Sequence, residues 1–575
     1  MHPNKLRFIR IFLASIVGLI LLLYLFIQIP WVQNKLVQKA TQSLASSLGT
    51  EVKVGKVGFT LFNSIDLQEI LIRDQQKDTL VYTHTLKLRI SDIFFSTSQP
   101  IIKYIGLEGT KVYLHRTSPQ WNYQFLLDYL NKGSQKKNSS YDLKKIEIAQ
   151  LDFMQDDEWV GQSMHLKSAN IIANFNHFND SLIQIDQLVA NKPFYTIQNK
   201  KGIRKTAPII KKTINPIGEL YFGNANTTIL ANQIKISQGK LWIENDFAKP
   251  TKQFDGFHIR LNELNAQIEN ASFIKDTIKA KVQLSTKERS GLHIQQLKTQ
   301  FRMTPQIMEL NKLYIKTNKS ILGPYYAMEY KDLVEDFNDY IHKVTMKAHL
   351  INAQVATDDI AFFAPELNSI HQKVNASFKF NGTVADFKTE GLSAQYNNSF
   401  VKGNFSMKGI PEMRNTLINF NEVFAKTNYQ DLLQWLPSLS LIKDLQVNQL
   451  GNLLFQGKFN GTLYDFVADA NIQSALGKAN TAIRIQFPLN AEPIYEGKLT
   501  TSHFNIGKLL DIQELGWINF NGKIAGSSFA LEKVKTNIEG AIDSLEFKKY
   551  IYTHINTNGV LQKKAFDGIF KIKDP

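Results

Sequence analysis

The sequence predicts a mostly β protein: an elongated, curled sheet that forms an open trough, with an amino-terminal transmembrane helix and a few short helices. Three observations predict this fold. Apolar residues alternate with polar ones from Glu51 onward, sequence signatures recur in the same order, and an apolar run of nineteen residues, Ile11 to Ile29, precedes both. A period of two is typical of strands that have one apolar face.

The apolar run contains no charged residue and follows Lys5, Arg7 and Arg10. At about 1.5 Å per residue it can cross a bilayer core of ~30 Å, and its basic flank favours a cytoplasmic amino terminus. A cleaved signal peptide is the alternative, but it needs a shorter apolar core and a small-residue cleavage site. We therefore predict an uncleaved anchor whose marker residues are Ile11, Leu19, Leu22, Ile29 and Trp31.

Composition and spacing exclude several kinds of chemistry. The chain has no cysteine, so disulfides, thiol catalysis and cysteine zinc sites are excluded. Its twelve histidines form no close ligand pair, and it has no phosphate-binding loop or nucleophile elbow. The acidic cluster Asp156 to Glu158 could in principle cleave glycans, but a solvated turn is the favoured interpretation. The sequence thus predicts no metal, no cofactor and no enzyme.

The net charge of +16 is scattered along the chain and accompanies no nucleic-acid-binding signature. Such a surface suits anionic lipid headgroups or acidic partners, and a merely lysine-rich surface fits equally well. We therefore predict no nucleic-acid partner.

Helical patterns mark three places. After Pro30, apolar residues recur every four positions up to Leu48, and Gly49 fits a C-cap. This helix either covers the first strands, which its modest charge favours, or lies on the bilayer. Residues 121–130 predict a short helix across the sheet, and residues 330–344 predict another helix. The predicted segments are 1–30 (cytoplasmic tip and anchor), 31–49 (amphipathic helix), 50–130 (first β region with a short helix), 131–328 (continuing sheet), 329–345 (helix) and 346–575 (repeated strands).

Two signatures recur in the same order in the last segment. Asp359 to Leu367 and Asp431 to Leu439 share the pattern D-[IL]-x-x-[FW]-x-P-x-L, and Lys379 to Phe387 is matched by Lys458 to Phe466. Phe520 to Gly522 echoes the second signature. We interpret the first as a helical turn ended by proline, and the second as a strand whose glycine takes a positive φ. Repeats of this kind predict growth by stacking.

The first part of the chain contains an ordered series: the anchor helix, the amphipathic helix, VKVGKVGFTLFNSIDLQEILIRD at Val52 to Asp74, LKLRIS at Leu86 to Ser91, IGLEGTKVYLHR at Ile105 to Arg116 and WNYQFLLDYL at Trp121 to Leu130. In this series the chain resembles the AsmA-like proteins, in particular the TamB family, and the resemblance covers essentially its whole length. The two repeated signatures and the glycine-punctuated strands near the end also look like TamB midsections.

The resemblance implies a trough with a hydrophobic inner face, anchored in the inner membrane of a diderm bacterium and extending through the periplasm. It implies phospholipid movement between the two membranes and a BamA-like outer-membrane barrel as partner. The strand pattern continues to the last residue, and the family's carboxy-terminal domain does not follow it. We therefore expect a fragment of a longer protein, and a short member of the family is the alternative.

Function then depends on the apolar face, which could hold acyl chains or be ordinary core. The competing hypotheses are phospholipid transport, assembly of outer-membrane or secreted proteins by strand pairing at an edge, and a passive tether. The candidate lining residues are Val57, Phe59, Leu61, Leu86, Leu88, Ile90, Ile146, Ile148, Phe378, Phe380, Phe459, Phe520 and Ile524.

Overall fold

Strands make up most of the chain in the computed structural model, which describes residues 29–60, 64–91, 101–133, 143–179, 181–204, 227–435, 445–530, 532–563 and 565–573. The chain divides into two units, residues 1–301 and residues 302–575. The predicted anchor up to residue 28 lies outside the described residues. The mostly β fold with short helices is confirmed.

The first unit begins with a helix and continues as a mixed sheet. Its helices are α1 (Pro30–Leu48) and α2 (Gln124–Gly133). Its strands are β1 (Val52–Thr60), β2 (Ser64–Arg73), β3 (Thr79–Ser91), β4 (Ile101–Arg116), β5 (Lys145–Asp157), β6 (Gln162–Phe178), β7 (Leu182–Asn191), β8 (Phe194–Asn199), β9 (Thr228–Asn245), β10 (Ile259–Ile274), β11 (Thr277–Glu288) and, at the boundary, β12 (His293–Met303).

Antiparallel neighbours dominate this sheet, but two connections are parallel. Strand β5 pairs parallel to β4, and α2 lies in the connection between them. Strands β7 and β8 are two halves of one interrupted strand, because both pair with β6 on one side and parallel with β9 on the other. The alternation in the sequence does not distinguish parallel from antiparallel pairing, so these crossovers were not predicted.

Helix α1 has proline in its first turn and ends at Gly49, whose φ of 67° places it in the left-handed region. Glycine reaches that region without a steric cost, which makes it a suitable C-cap. The helix packs on β1, the covering arrangement that its modest charge favours. Helix α2 contacts α1, and its Leu127 and Tyr129 are exposed.

The second unit is an antiparallel succession of strands interrupted by short helices. The helices are α3 (Leu333–Asn338), α4 (Tyr340–Lys343), α5 (Thr357–Ile360), α6 (Tyr429–Trp435) and α7 (Ile506–Leu510), with 3-10 turns at Pro365–Ser369 and Val447–Leu450. The strands are β13 (Ile307–Lys316), β14 (Ile321–Leu322), β15 (Pro324–Glu329), β16 (Thr345–Ala356), β17 (Lys373–Gly382), β18 (Asp386–Tyr396), β19 (Ser399–Lys408), β20 (Leu417–Asn428), β21 (Asn452–Gly461), β22 (Asp465–Ser474), β23 (Gly477–Gln486), β24 (Ile494–Ser502), β25 (Phe504–Asn505), β26 (Leu515–Ser527), β27 (Lys535–Phe547), β28 (Tyr550–Gln562) and β29 (Ala565–Ile572).

The single helix predicted over residues 330–344 is divided in the structure. Helix α3 ends at Asn338 and α4 begins at Tyr340, with Asp339 between them at φ −123°. Tyr340 contacts both the Phe337 ring and the hydroxyl of Tyr326 on β15. The contact of Tyr340 with the sheet accompanies a break that periodicity alone does not predict.

Aligned bulges lie on three alternate strands of the second unit, β16, β18 and β20. Asn352 on β16, Gly391 on β18 and Glu422 on β20 have φ values of 49°, 64° and 53°, and the register shifts at each of them. A bulge bends its strand and increases the local twist. Because the bulged strands are separated by single strands and shift at the same level, they bend this part of the sheet along one line. We call it the bulge line.

A substitution at Gly391 tests the bulge line. A Cβ built there has no neighbouring atom within 4 Å, so only the left-handed φ of +64° opposes a side chain. We expect Gly391→Ala to destabilise the fold by about 1 kcal/mol, the order of the left-handed penalty. Gly256→Ala is the matched control, since a Cβ at Gly256 also meets nothing within 4 Å and no left-handed φ opposes it. Urea denaturation should show the control to be neutral or stabilised by about 0.5 kcal/mol.

Buried hydroxyls donate to backbone carbonyls beside two of the register shifts. Thr286 on β11 donates to the carbonyl of Asn262 at 3.0 Å, and Thr389 on β18 donates to the carbonyl of Phe405 at 3.2 Å. Both acceptors lie where the register shifts. A buried carbonyl without a partner is costly, so these hydroxyls stabilise the bends.

We therefore expect Thr286→Val to cost about 1–2 kcal/mol in the free energy of unfolding, because it removes the hydrogen bond of the buried hydroxyl to the Asn262 carbonyl. Thr481→Val provides the opposite case. The Thr481 oxygen is buried and has no hydrogen-bond partner among the described residues. Replacing it should be neutral or stabilising, and equal losses in the two variants would contradict the role given to Thr286.

Candidate functional site

One face of the first unit carries uninterrupted apolar rows that run across its strands. Residues directly opposite each other in a ladder share a face, so the register can be followed from strand to strand. One row reads Val57, Leu67, Leu86, Leu107, Ile148, Ile171, Ala190, Ile236, Ala266, Leu284. The row beside it reads Phe59, Ile65, Leu88, Ile105, Ile146, Ala173, Leu188, Ile234, Ile268, Val282.

The second unit carries a corresponding row without a charged residue. It reads Leu310, Tyr326, Ala348, Phe380, Thr389, Phe405, Phe420, Phe459, Ala468, Ile483, Gly497, Ile524, Ile538, Gly559, Gly568. The adjacent positions point to the opposite face and include Lys458, Asp469, Lys498 and Lys523. We call the uncharged side of each unit its apolar face.

Among the described residues, no second layer seals the apolar face of the second unit. In the row of the second unit only Thr389 is buried, while Phe380, Phe405, Phe420 and Phe459 are half-buried. The extensive contacts of each described strand are with its hydrogen-bonded neighbours. In a two-layer sandwich the large inward side chains would be almost wholly buried. The remaining accessible surface of these rings is therefore available to a ligand.

Seven phenylalanines form a contiguous ladder on the apolar face of the second unit. Successive ring centroids are 4.7, 6.0, 5.3, 6.3, 4.7 and 6.4 Å apart. These spacings lie in the range of favourable aromatic contacts. The phenylalanine ladder consists of Phe380, Phe387, Phe405, Phe420, Phe459, Phe466 and Phe487.

The two KFNGT signatures fold in the same way. Gly382 and Gly461 have φ values of 140° and 142°, and in each case a Cβ would lie 2.3 Å from a backbone oxygen across the hairpin. Each signature also stacks its phenylalanine on the next strand's at 4.7 Å. The third echo differs: Gly522 lies within β26 opposite Gly540, with no left-handed φ. It is a close strand contact and not a hairpin.

The repeated aspartates are buried and bind neighbouring turns. Asp359 accepts from the Thr317 hydroxyl at 2.6 Å, and Asp431 accepts from the Ser399 hydroxyl at 2.5 Å. The proline does not end the first helical turn, because α5 stops at Ile360 and Pro365 begins a 3-10 turn. Pro437 lies outside the described residues. A further helical turn, α7, follows β25 with Asn505 as its N-cap. The repeated pattern does not reveal it, because the segment keeps only the isoleucine and has Asn505, Leu509, Asp511 and Gln513 at the other four defined positions.

The structure places most of the predicted lining residues on the apolar faces. The two rows of the first unit contain Val57, Leu86, Leu88, Ile146 and Ile148. The register also places Phe59 in one of these rows. Ile90 pairs with Ile102 beside them. Phe380, Phe459 and Ile524 lie in the row of the second unit, and Phe378 precedes Phe380 on the same face. Leu61 lies outside the described residues.

The predicted lining role of Phe520 does not agree with its position in the structure. It is only 6% exposed and forms a packed cluster with Ile542 and Ile555. Its ring also covers Gly522 and Gly540, which have no side chains to occupy that space. Phe520 is therefore a core residue and not an accessible lining position.

The acidic cluster is not the solvated turn predicted from the sequence. Asp156 and Asp157 are buried at the end of β5, and both oxygens of Asp157 accept from Arg116 at 2.9 and 2.6 Å. Burial opposes ionisation of Asp157, but the bonds from Arg116 and from the Val160 backbone outweigh it and lower the pKa of Asp157. Asp156 binds Ser163 and Lys200. These partners assign both carboxylates a structural role.

Two cavities lie on the polar face of the first unit, with volumes of about 440 and 600 Å³. The smaller one contains Tyr104, whose hydroxyl donates to Glu147 at 2.7 Å and whose ring lies 4.9 Å from the Arg89 guanidinium. Burial, followed by Glu147, raises the pKa of Tyr104 to about 12. The residue thus stays neutral and supplies no acid or base near neutral pH.

The described residues contain no group of three or more acidic or histidine side chains that could hold a metal ion. Among the same residues no helix is long and apolar enough to cross a membrane. Ile11, Leu19 and Leu22 lie outside them, while Ile29 and Trp31 are described and exposed. No protein family, curated protein or solved structure matches the chain. The family resemblance therefore remains a prediction.

Proposed function

We propose that the protein is a non-enzymatic conduit for phospholipid, which moves with its acyl chains against the apolar faces. The observation that carries the proposal is the uncharged row across the strands of the second unit, whose large side chains remain half-buried. A chain that only needed a core would gain more by covering this surface, because each buried CH₂ contributes about 0.8 kcal/mol.

Equivalent positions on successive strands suit movement better than tight capture. Neighbouring strands are about 4.8 Å apart, so an acyl chain that leaves one row position meets the next after a short step. Phe405, Phe420 and Phe459 present rings of similar chemistry at consecutive steps. A sequence of similar sites gives small barriers between them, and the source of net direction must lie elsewhere.

The proposal places the chain in the periplasm of a diderm bacterium, anchored in the inner membrane by residues 11–29. The uncharged, apolar character of that segment and its basic flank support this location. A BamA-like outer-membrane barrel is the proposed distal partner, on the resemblance alone.

Site-specific photocrosslinking tests the proposal. With benzoylphenylalanine in place of Phe380, irradiation of cells should join phospholipid to the protein. Lys379 is the matched control position, because it neighbours Phe380 on β17 and is exposed on the opposite face. Lipid at Phe380 and none at Lys379 is the expected result. Capture of protein neighbours alone at Phe380 would contradict the proposal and favour the protein-assembly hypothesis.

A further inference from the structure

Exposed apolar side chains cluster at one end of neighbouring strands in the second unit. They belong to three successive connections, β19 to β20, β21 to β22 and β23 to β24, which lie side by side through the strand pairing. Contiguous exposed apolar surface commonly marks an interaction site. We call this cluster the lip: Met413 (39% exposed), Leu463 (47%), Tyr464 (43%), Phe487 (38%) and Leu489 (70%).

The lip is continuous with the phenylalanine ladder. Phe487 belongs to both, and its ring centroid lies 6.4 Å from that of Phe466 on the apolar face. The backbone N–H of Phe487 donates to the carbonyl of Tyr464 at 2.7 Å, which holds two of the connections together. An apolar path therefore runs from the ladder to the exposed end of the strands without crossing a charged residue.

One cation at the lip is left without an anion. The Arg414 guanidinium lies 5.0 Å from the centroid of the Tyr464 ring, and no carboxylate among the described residues forms an ion pair with it. Its neighbours differ, since Arg484 pairs with Asp465 at 2.7 Å and Lys408 with Asp386 at 3.5 Å. A guanidinium held by an aromatic ring keeps its N–H groups directed outward and suits the oxygens of a phosphate.

We propose that the lip is a lateral portal through which a phospholipid enters or leaves the apolar face of the second unit. Arg414 binds the headgroup phosphate, and the acyl chains pass over Leu489 and Phe487 onto Phe466. This inference rests on the proposed function, and it adds the point of entry and the group that recognises the headgroup. The pairing of an unneutralised cation with an adjoining apolar path selects a phospholipid over a purely apolar ligand.

The test uses the full chain and vesicles of phosphatidylethanolamine and phosphatidylglycerol, the latter carrying a photoreactive diazirine on one acyl chain. Labelled peptides are mapped by mass spectrometry. The wild type should be labelled at the lip and on the ladder strands. Arg414→Gln should lower labelling at both about tenfold, and Leu489→Glu should do the same. Arg484→Gln is the control, because this exposed arginine at the same strand ends is already paired, and it should leave labelling unchanged.

The other outcomes separate this inference from the proposed function. If the ladder of the Arg414→Gln, Leu489→Glu double variant is labelled as strongly as that of the wild type, the portal is overturned and the conduit is left intact. No ladder labelling in the wild type would overturn both. If glycerol phosphate competes with labelling at the lip as effectively as unlabelled phospholipid does, Arg414 is an anion site only. If sedimentation shows a dimer that Leu489→Glu dissociates, the lip is a contact between copies and the portal is wrong.

Discussion

Phe459→Asp should abolish lipid capture on the phenylalanine ladder. The Phe459 ring lies 6.3 Å from Phe420 and 4.7 Å from Phe466, so the substitution places a carboxylate in the middle of the path. An acyl chain passing there would have to desolvate an unpaired charge, which costs several kcal/mol. With benzoylphenylalanine in place of Phe420, we expect the yield of crosslinked lipid to fall at least about tenfold.

Two variants of the same strand separate this effect from misfolding. Phe459→Leu keeps an apolar side chain and should retain capture within about twofold, since the acyl chain still meets hydrocarbon. Lys458→Ser changes the neighbouring residue on the opposite face and should leave capture unchanged. Normal lipid capture in a folded Phe459→Asp protein would contradict a lipid path over the phenylalanine ladder, and no lipid capture in the wild type either would favour the passive tether.

The faces of individual strands were predictable because a strand's side chains alternate. Leu86, Leu88, Ile146 and Ile148 fall into two rows because apolar residues recur at every second position, and pairing keeps them on one side. The repeated hairpins were predictable for a different reason. Gly382 and Gly461 occupy positions where φ and the nearby backbone both exclude a side chain.

What was not predictable depends on contacts between distant segments. Nothing near Lys145 specifies that β5 pairs parallel to β4. The bulge line was missed because its three positions carry different residues, Asn352, Gly391 and Glu422, and a glutamate does not suggest a left-handed backbone within a strand. Burial of Asp157 follows from Arg116, which lies on another strand, and a local pattern of three acidic residues therefore suggests a solvated turn instead.

The largest stability effect should come from Asp74, whose fully buried carboxylate joins two segments of the first unit. It accepts from the backbone N–H groups of Gln76 and Asp78 at 3.0 and 2.9 Å, within the β2–β3 turn. Its other oxygen accepts from the Asn122 side chain at 3.1 Å, just before α2. Hydrogen bonds to a charged group contribute more than neutral ones, and buried donors left unpaired add a further penalty.

We therefore expect Asp74→Ala to lower the free energy of unfolding by about 3–4 kcal/mol, measured as an earlier urea transition of the full chain. Asp74→Asn should lose less, because its remaining carbonyl oxygen can still accept from the turn. Asp78→Ala is the matched control, since Asp78 lies exposed in the same turn and should shift stability by no more than about 0.5 kcal/mol. If the Asp74 and Asp78 variants unfold at the same urea concentration, the buried carboxylate does not hold the amino-terminal strands to α2, and the turn must be stabilised by its backbone alone.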